Sequence, residues 1–250
     1  MSVAFLRGRC RRGLLACLVS GVALAAGAVD AGAAQVQTTL NTLLPGGTNA
    51  TGLTLGDKRY TNFTFSASGI PTQGLAEAVN VTLSDDAAPN RHTLRFSTAG
   101  DGLVANPGDS IDLVICYDVN VLGTQRINGV GLTFQSTVAP SGGDAAASVV
   151  ETVQTLDGSI LRPGGTSDME ILSVVNDGAG PLEDTNSDFM ALNLTRSLRF
   201  CKDIVVSSRP GGGYAVISIV DQIVDQVPEP GSIALIGFAG GAMLLRRRRA

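Results

Sequence analysis

The sequence predicts an all-β fold: a two-sheet sandwich of jelly-roll or immunoglobulin-like kind over residues 34–226, set between an N-terminal signal peptide and a C-terminal single membrane helix. Three observations carry this reading. Apolar and polar residues alternate with a period of two along 36–224, as in strands that bury one face. Clusters of Gly, Pro, Asn and Asp interrupt the alternation at short intervals, as turns do. The composition holds 31 Gly and no Trp, and its apolar residues are mostly Val, Leu, Ile and Ala, a mixture that suits strands better than helical bundles.

In chain order, residues 1–33 read as a signal peptide: basic through Arg12, apolar from Gly13, then small residues. Cleavage after Ala28 or after Ala33 fits the small-x-small rule equally well. The apolar stretch is shorter than the roughly 20 residues a spanning helix needs. Cys17 follows Arg12 too closely for a lipoprotein signal, and the pair Arg11 and Arg12 is compatible with either general or twin-arginine export.

The clearest strand runs from Ile111 to Val121, where Ile111, Leu113, Ile115, Tyr117, Val119 and Val121 share one face. Similar alternation joins Phe63/Phe65/Ala67, Val79/Val81/Leu83, Leu94/Phe96, Val130/Leu132/Phe134, Val149/Glu151/Val153 and Met169/Ile171/Ser173/Val175. It continues through Met190/Leu192/Leu194, on to Leu198/Phe200, and through Ala215/Ile217/Ile219. About ten strands with one apolar face each require a second sheet to cover them. The alanines near 76–78 and 145–147 are candidates for short helical turns.

Of four cysteines, Cys10 and Cys17 fall in the leader, leaving Cys116 and Cys201. A pair in an exported chain reads as one disulfide because the compartment is oxidising. Both lie on the less apolar face of their strands.

After the sandwich come Pro228, Glu229 and Pro230 within 227–232, an apolar segment 233–245, and Arg246, Arg247, Arg248 and Arg249 in the tail 246–250. Prolines resist helix and sheet, so the membrane helix is expected to begin after them. The arginines hold the tail inside by the positive-inside rule. This order of parts resembles the PEP-CTERM sorting signal of Gram-negative bacteria. The resemblance covers about residues 227–250 and implies an exosortase as partner, cleavage near the Pro-Glu-Pro residues, passage through the inner membrane, and delivery to the cell surface or extracellular matrix. The thirteen residues 233–245 rise about 20 Å as a helix against a hydrocarbon core near 30 Å, which suits a transient span.

Charge argues against nucleic acid as a partner. Eight of the 18 basic residues sit at the two ends, and residues 35–227 hold 10 Lys and Arg against 20 Asp and Glu, a net −10. Enzymatic chemistry is not assembled: there is one His, His92, and no nucleophile or zinc motif accompanies it. Sugar hydrolases display aromatic platforms, and this chain has three Tyr and no Trp. No cofactor is expected, with calcium the one candidate. Asp184, Asn186 and Asp188 alternate oxygen side chains as some calcium loops do, but Phe189 and Thr195 stand where an EF-hand places its Gly and Glu. A solvated acidic turn is the plainer reading. The Asn-x-Thr matches at 49, 62, 80 and 193 are assigned to strand and turn chemistry. The expected role is a structural protein of the surface, biofilm or exopolysaccharide matrix. The alternative is a carbohydrate- or calcium-dependent binding module that stays anchored in the membrane.

Overall fold

A computed structural model describes residues 34–69, 74–86, 90–98, 100, 102–139, 144–178 and 185–228. Their elements in chain order are β1 (Gln35–Thr39), α1 (Leu40–Leu43), β2 (Leu53–Leu55), β3 (Lys58–Gly69), α2 (Leu75–Ala78), β4 (Val79–Asp85), β5 (Arg91–Thr98), β6 (Leu103–Ala105), β7 (Ser110–Val121), β8 (Gln125–Ala139), β9 (Ala145–Thr155), β10 (Met169–Asn176), β11 (Ser187–Thr195), β12 (Ser197–Ser208) and β13 (Tyr214–Pro228). One sheet, A, has the order β1-β4-β5-β13-β8-β11, with β6 also on β13; the other, B, has the order β10-β9-β12-β7-β3-β2. The strand ladders are antiparallel throughout.

The sheets pack face to face through the alternating positions that the sequence marks. The six alternating residues of β7 from Ile111 to Val121 point inward and are buried. Tyr117 sits at the middle of the core, its ring 5.3–5.8 Å from those of Phe63 and Phe200 on its own sheet and Phe96 on the other. Such close aromatic contacts add to the area they bury. Leu83, Leu94, Leu132 and Val224 cover them from sheet A.

Bulges explain where the alternation misleads. Asn62, with φ 56°, adds a residue to β3 and turns Phe63 inward; Asn tolerates the left-handed region better than most residues. A register shift between Ile217 and Ile219 reverses the phase of β13, so Val220, and not Ile219, joins Ala215 and Ile217 in the core. The expected run from Met190 to Phe200 is two strands in different sheets, β11 in A and β12 in B, and Leu194 is exposed.

The expected inward face of β10 is its outer one. Ile171 is 59% exposed, whereas Leu172 and Val174 are buried. The alanines at 145–147 belong to β9, while 75–78 forms one helical turn. The sandwich also reaches beyond 226. β13 continues through Pro228, which pairs with Gln125, because a proline at a strand's last residue costs the ladder little.

The two sheets meet along one side at a bridge between Val175, on β10, and Thr185, just before β11. Among the described residues no helix is long and apolar enough to cross a membrane; the expected signal peptide and the segment 233–245 lie outside them.

Candidate functional site

Two polar regions lie side by side at the end of the sandwich where β13 leaves it. The first is a cleft of about 360 Å³ lined by Gly56, Asp57, Asp85, Asp86, Asn90, Arg91, His92, Gln125 and Gln226. The β2–β3 turn brings in Asp57, the ends of β4 and β5 supply Asp85 and His92, and β13 supplies Gln226. Lys58 is fully buried beside it, its Nζ 3.5 Å from Asp57 Oδ1. Burial pulls its ammonium down to about 8, against the pull of Asp57.

His92 Nδ1 lies 2.7 Å from Asp85 Oδ1 and Nε2 lies 3.9 Å from Asp57 Oδ1. The Nδ1 contact is electrostatic, since neither atom is aligned for a hydrogen bond. Burial, helped by nearby Lys58, pushes the imidazole below its usual pKa and favours the neutral ring. Gln226 donates to Asp57 Oδ2 at 3.2 Å and leaves its own buried Oε1 without a donor. The cleft is thus rich in hydrogen-bond acceptors. It has a neutral-leaning base between two carboxylates, yet no nucleophile stands among its lining residues.

The second region is the outer face of sheet A. Cross-strand pairing sets Gln35, Ser84, Thr93, Ile223, Gly131 and Phe189 in one row across the sheet. Flanking rows carry two forked ion pairs, Arg95 to Asp221 (2.8 and 2.8 Å) and Arg91 to Asp225 (2.7 and 2.9 Å). A depression of about 330 Å³ lies over Thr82, Ser84, Thr93, Arg95, Asp221 and Ile223. Phe189 is 55% exposed and its ring lies over Gly129 and Gly131, where an added Cβ would come within 2.7 and 3.0 Å of it. Any larger residue at 129 would lift the ring off the sheet.

The structure unites one predicted pair. Cys116 and Cys201 face each other across β7 and β12, Cα atoms 4.1 Å apart, and form a disulfide on the outer face of sheet B. Asp188 has structural partners: its oxygens accept backbone N–H groups of Ser173 (3.0 Å) and Phe189 (2.8 Å). Asn186 lies just before β11, and Asp184 is outside the described residues. Among the described residues no cluster of three His, Cys, Asp or Glu side chains could hold a metal ion. Pro228 ends β13, and Glu229, Pro230 and Arg246 to Arg249 lie outside the described residues.

Sequence reasoning missed the cleft, whose members come from five separate stretches of chain. The one available signal was His92 on the same face as Leu94 and Phe96, an inward position that a histidine occupies comfortably only with partners.

Comparison with known proteins gives one match by sequence family. No curated protein sequence matches the chain. By shape, the chain is similar to TmCBM61 in complex with beta-1,4-galactotriose, at 14% identity over 66% of this chain and 88% of that one, with a TM-score of 0.27. It is also similar to the family 32 carbohydrate-binding module of C. perfringens NanJ in complex with galactose, at 11% identity over 75% and 99%, with a TM-score of 0.19. A third match is the infectious bursal disease virus Gx strain, at 13% identity over 79% and 56%, with a TM-score of 0.27. Residues 226–249 match the family model of the PEP-CTERM protein-sorting motif, so the chain carries a tag that implies an exported protein sorted at the membrane.

Proposed function

We propose that this chain is a structural protein of the cell surface or extracellular matrix, associated with biofilm or exopolysaccharide, and that an exosortase cleaves it within the motif that follows the sandwich. One observation supports the reading above others. β13 is hydrogen-bonded to β5, β6 and β8, and its last residues, 226–228, are already part of the sorting motif. The tag is therefore joined directly to an inner strand of sheet A with no linker, which suits a domain that is displayed and has to bear load. In this reading residues 1–33 are the leader, 233–245 the transient span, and Arg246 to Arg249 its inner stop; catalysis plays no part. Intact mass of the protein recovered from the cell surface tests it. The leader and everything after the Pro-Glu-Pro residues should be gone, and recovery of chain still carrying Arg246 to Arg249 would instead establish a permanently anchored protein.

A second reading, carbohydrate binding, is favoured by the outer face of sheet A. Fixed Arg–Asp forks offer donors and acceptors to sugar hydroxyls, and Phe189 offers a flat apolar ring beside them. Saturable binding of the full chain to the producer's own polysaccharide, weakened at least tenfold by Phe189→Ala and by Arg95→Ala, would move this reading ahead. Loss of binding in chelator would add calcium to it.

A further inference from the structure

We infer that Lys202 and Gln222 are joined by an amide bond through the core of the sandwich, made by the protein itself with Glu151 as proton relay. Three fully buried polar side chains meet between the sheets: Lys202 on β12, Glu151 directly opposite it on β9, and Gln222 on β13 of the other sheet. Along their own strands they are flanked by Phe200 and Ile204, Val149 and Val153, and Val220 and Val224, all buried. All three are shut off from bulk solvent. A plain ion pair here would forfeit the hydration of both charges, and cores that replace such pairs with apolar residues are commonly no less stable.

The geometry sets an amine beside an amide carbonyl. Lys202 Nζ is hydrogen-bonded to Glu151 Oε2 and donates to Gln222 Oε1 at 2.6 Å. The Gln222 amide is pinned in orientation, its Nε2 donating to the carbonyl oxygens of Gly131 (3.1 Å) and Ile223 (3.3 Å). The Tyr117 hydroxyl, 3.5 Å away, points a donor at the same Oε1. Glu151 Oε1 makes no hydrogen bond of its own, leaving one carboxyl oxygen to carry a proton, and Gln222 lies near enough to influence its protonation. Burial raises the Glu151 carboxyl and lowers the Lys202 ammonium, so both move toward the neutral acid and amine that the reaction requires.

The step balances without oxidant or cofactor. Neutral Nζ adds to Cδ of Gln222, forming a C–N bond, while the Tyr117 hydroxyl steadies the charge on Oε1. As the amine adds, Glu151 gives its acid proton to Nε2 from one oxygen and takes one from Nζ on the other, so it ends as protonated as it began. The Cδ–Nε2 bond breaks, ammonia leaves, and a secondary amide remains between β12 and β13. Fixing both groups in one buried site supplies the proximity that makes so poor an acyl donor reactive.

Cys201, the neighbour of Lys202, already bonds Cys116. The two bonds would give a continuous covalent path from β13, the strand that enters the sorting motif, through β12 to β7.

Peptide mass mapping of the purified full chain, reduced and denatured, tests the bond. Expected are a segment spanning 202 and 222 that is lighter by one ammonia, and no tryptic cleavage after Lys202. Glu151→Gln should restore the ordinary mass and the cleavage. Gln222→Glu should keep the crosslink but lose water in place of ammonia, which covers the case in which Glu151→Gln does not fold. Full mass with cleavage at Lys202 in the folded wild-type chain would overturn the inference, leaving a buried ion pair. Loss of water in the wild type, joining the peptides of Glu151 and Lys202, would overturn it as well, because the acyl donor would be the wrong one.

Discussion

Replacing Lys58 by Met should flatten the alkaline side of the protein's stability profile. Lys58 is fully buried and releases its proton near 8, whereas the same side chain in the unfolded chain holds its proton to about 10.5. Between those values the unfolded chain binds more protons, so stability rises with pH. For these two constants, linkage gives an increase of about 2 kcal/mol from about pH 7.5 to about pH 9.5. Buried Tyr60 and Tyr117 act the other way, holding their protons beyond the usual phenol range, so unfolded tyrosines begin to erode stability near pH 10 and set the upper limit of the window. Urea unfolding followed by circular dichroism at several pH values above 7.5, for wild type and Lys58→Met, reads the difference, since the buried tyrosines are common to both. A difference that stays constant across the window would refute the reasoning and would mean that Lys58 keeps its proton through Asp57.

Three further outcomes can be checked. Replacing Cys116 and Cys201 together by Ala should cost about 4–5 kcal/mol, because the bond closes a separation of 85 residues; a loss below about 1 kcal/mol in urea unfolding would show that the reduced chain is already held as tightly by other means. Leu172→Ala should cost about 2–5 kcal/mol and Ile171→Ser no more than about 0.5, one side chain being buried and its neighbour in sequence exposed. Equal losses would mean that the face of β10 is misassigned. A reporter active only outside the cytoplasm should work when fused after Ala50 and fail after Ala250; activity at the second site would reverse the orientation read from the arginines.

Much of the sandwich is written locally. In β7 an unbroken period of two names every inward side chain, and the same holds for β4 and for most of β9. Period alone fails at two kinds of place. A bulge inserts one residue and reverses the phase, and Ser218 has no chemistry that marks it, so the sequence around β13 reads as one uninterrupted alternation. On β10 both alternating sets are apolar, Met169, Ile171 and Val175 against Leu172 and Val174, and only the neighbouring strand decides which set is covered. The disulfide was legible because an exported chain with two remaining cysteines has one pairing available. The cleft was not: Asp57 and Gln226 touch across 169 positions, and a contact made by tertiary packing leaves no spacing to recognise. Glu151 was visible as an inward residue, but its partners stand 51 and 71 positions away, on strands assigned only by the fold.

The four outermost strands bear on how copies of this protein could associate. An open strand edge offers a row of unused N–H and C=O groups on which another chain can pair, the usual start of ribbon growth and fibre formation. Here β1 has five residues and β2 three, so each is a short template. On the opposite side, β11 is broken by a shift in register between Ala191 and Thr195, and the bridge from Val175 to Thr185 draws β10 toward it. Among the described residues β10 is the longest regular edge, eight residues, with its Val175 end taken up by that bridge. Copies crowded at a surface would therefore have three poor edges for strand pairing, β1, β2 and β11, and any pairing between them would fall to β10.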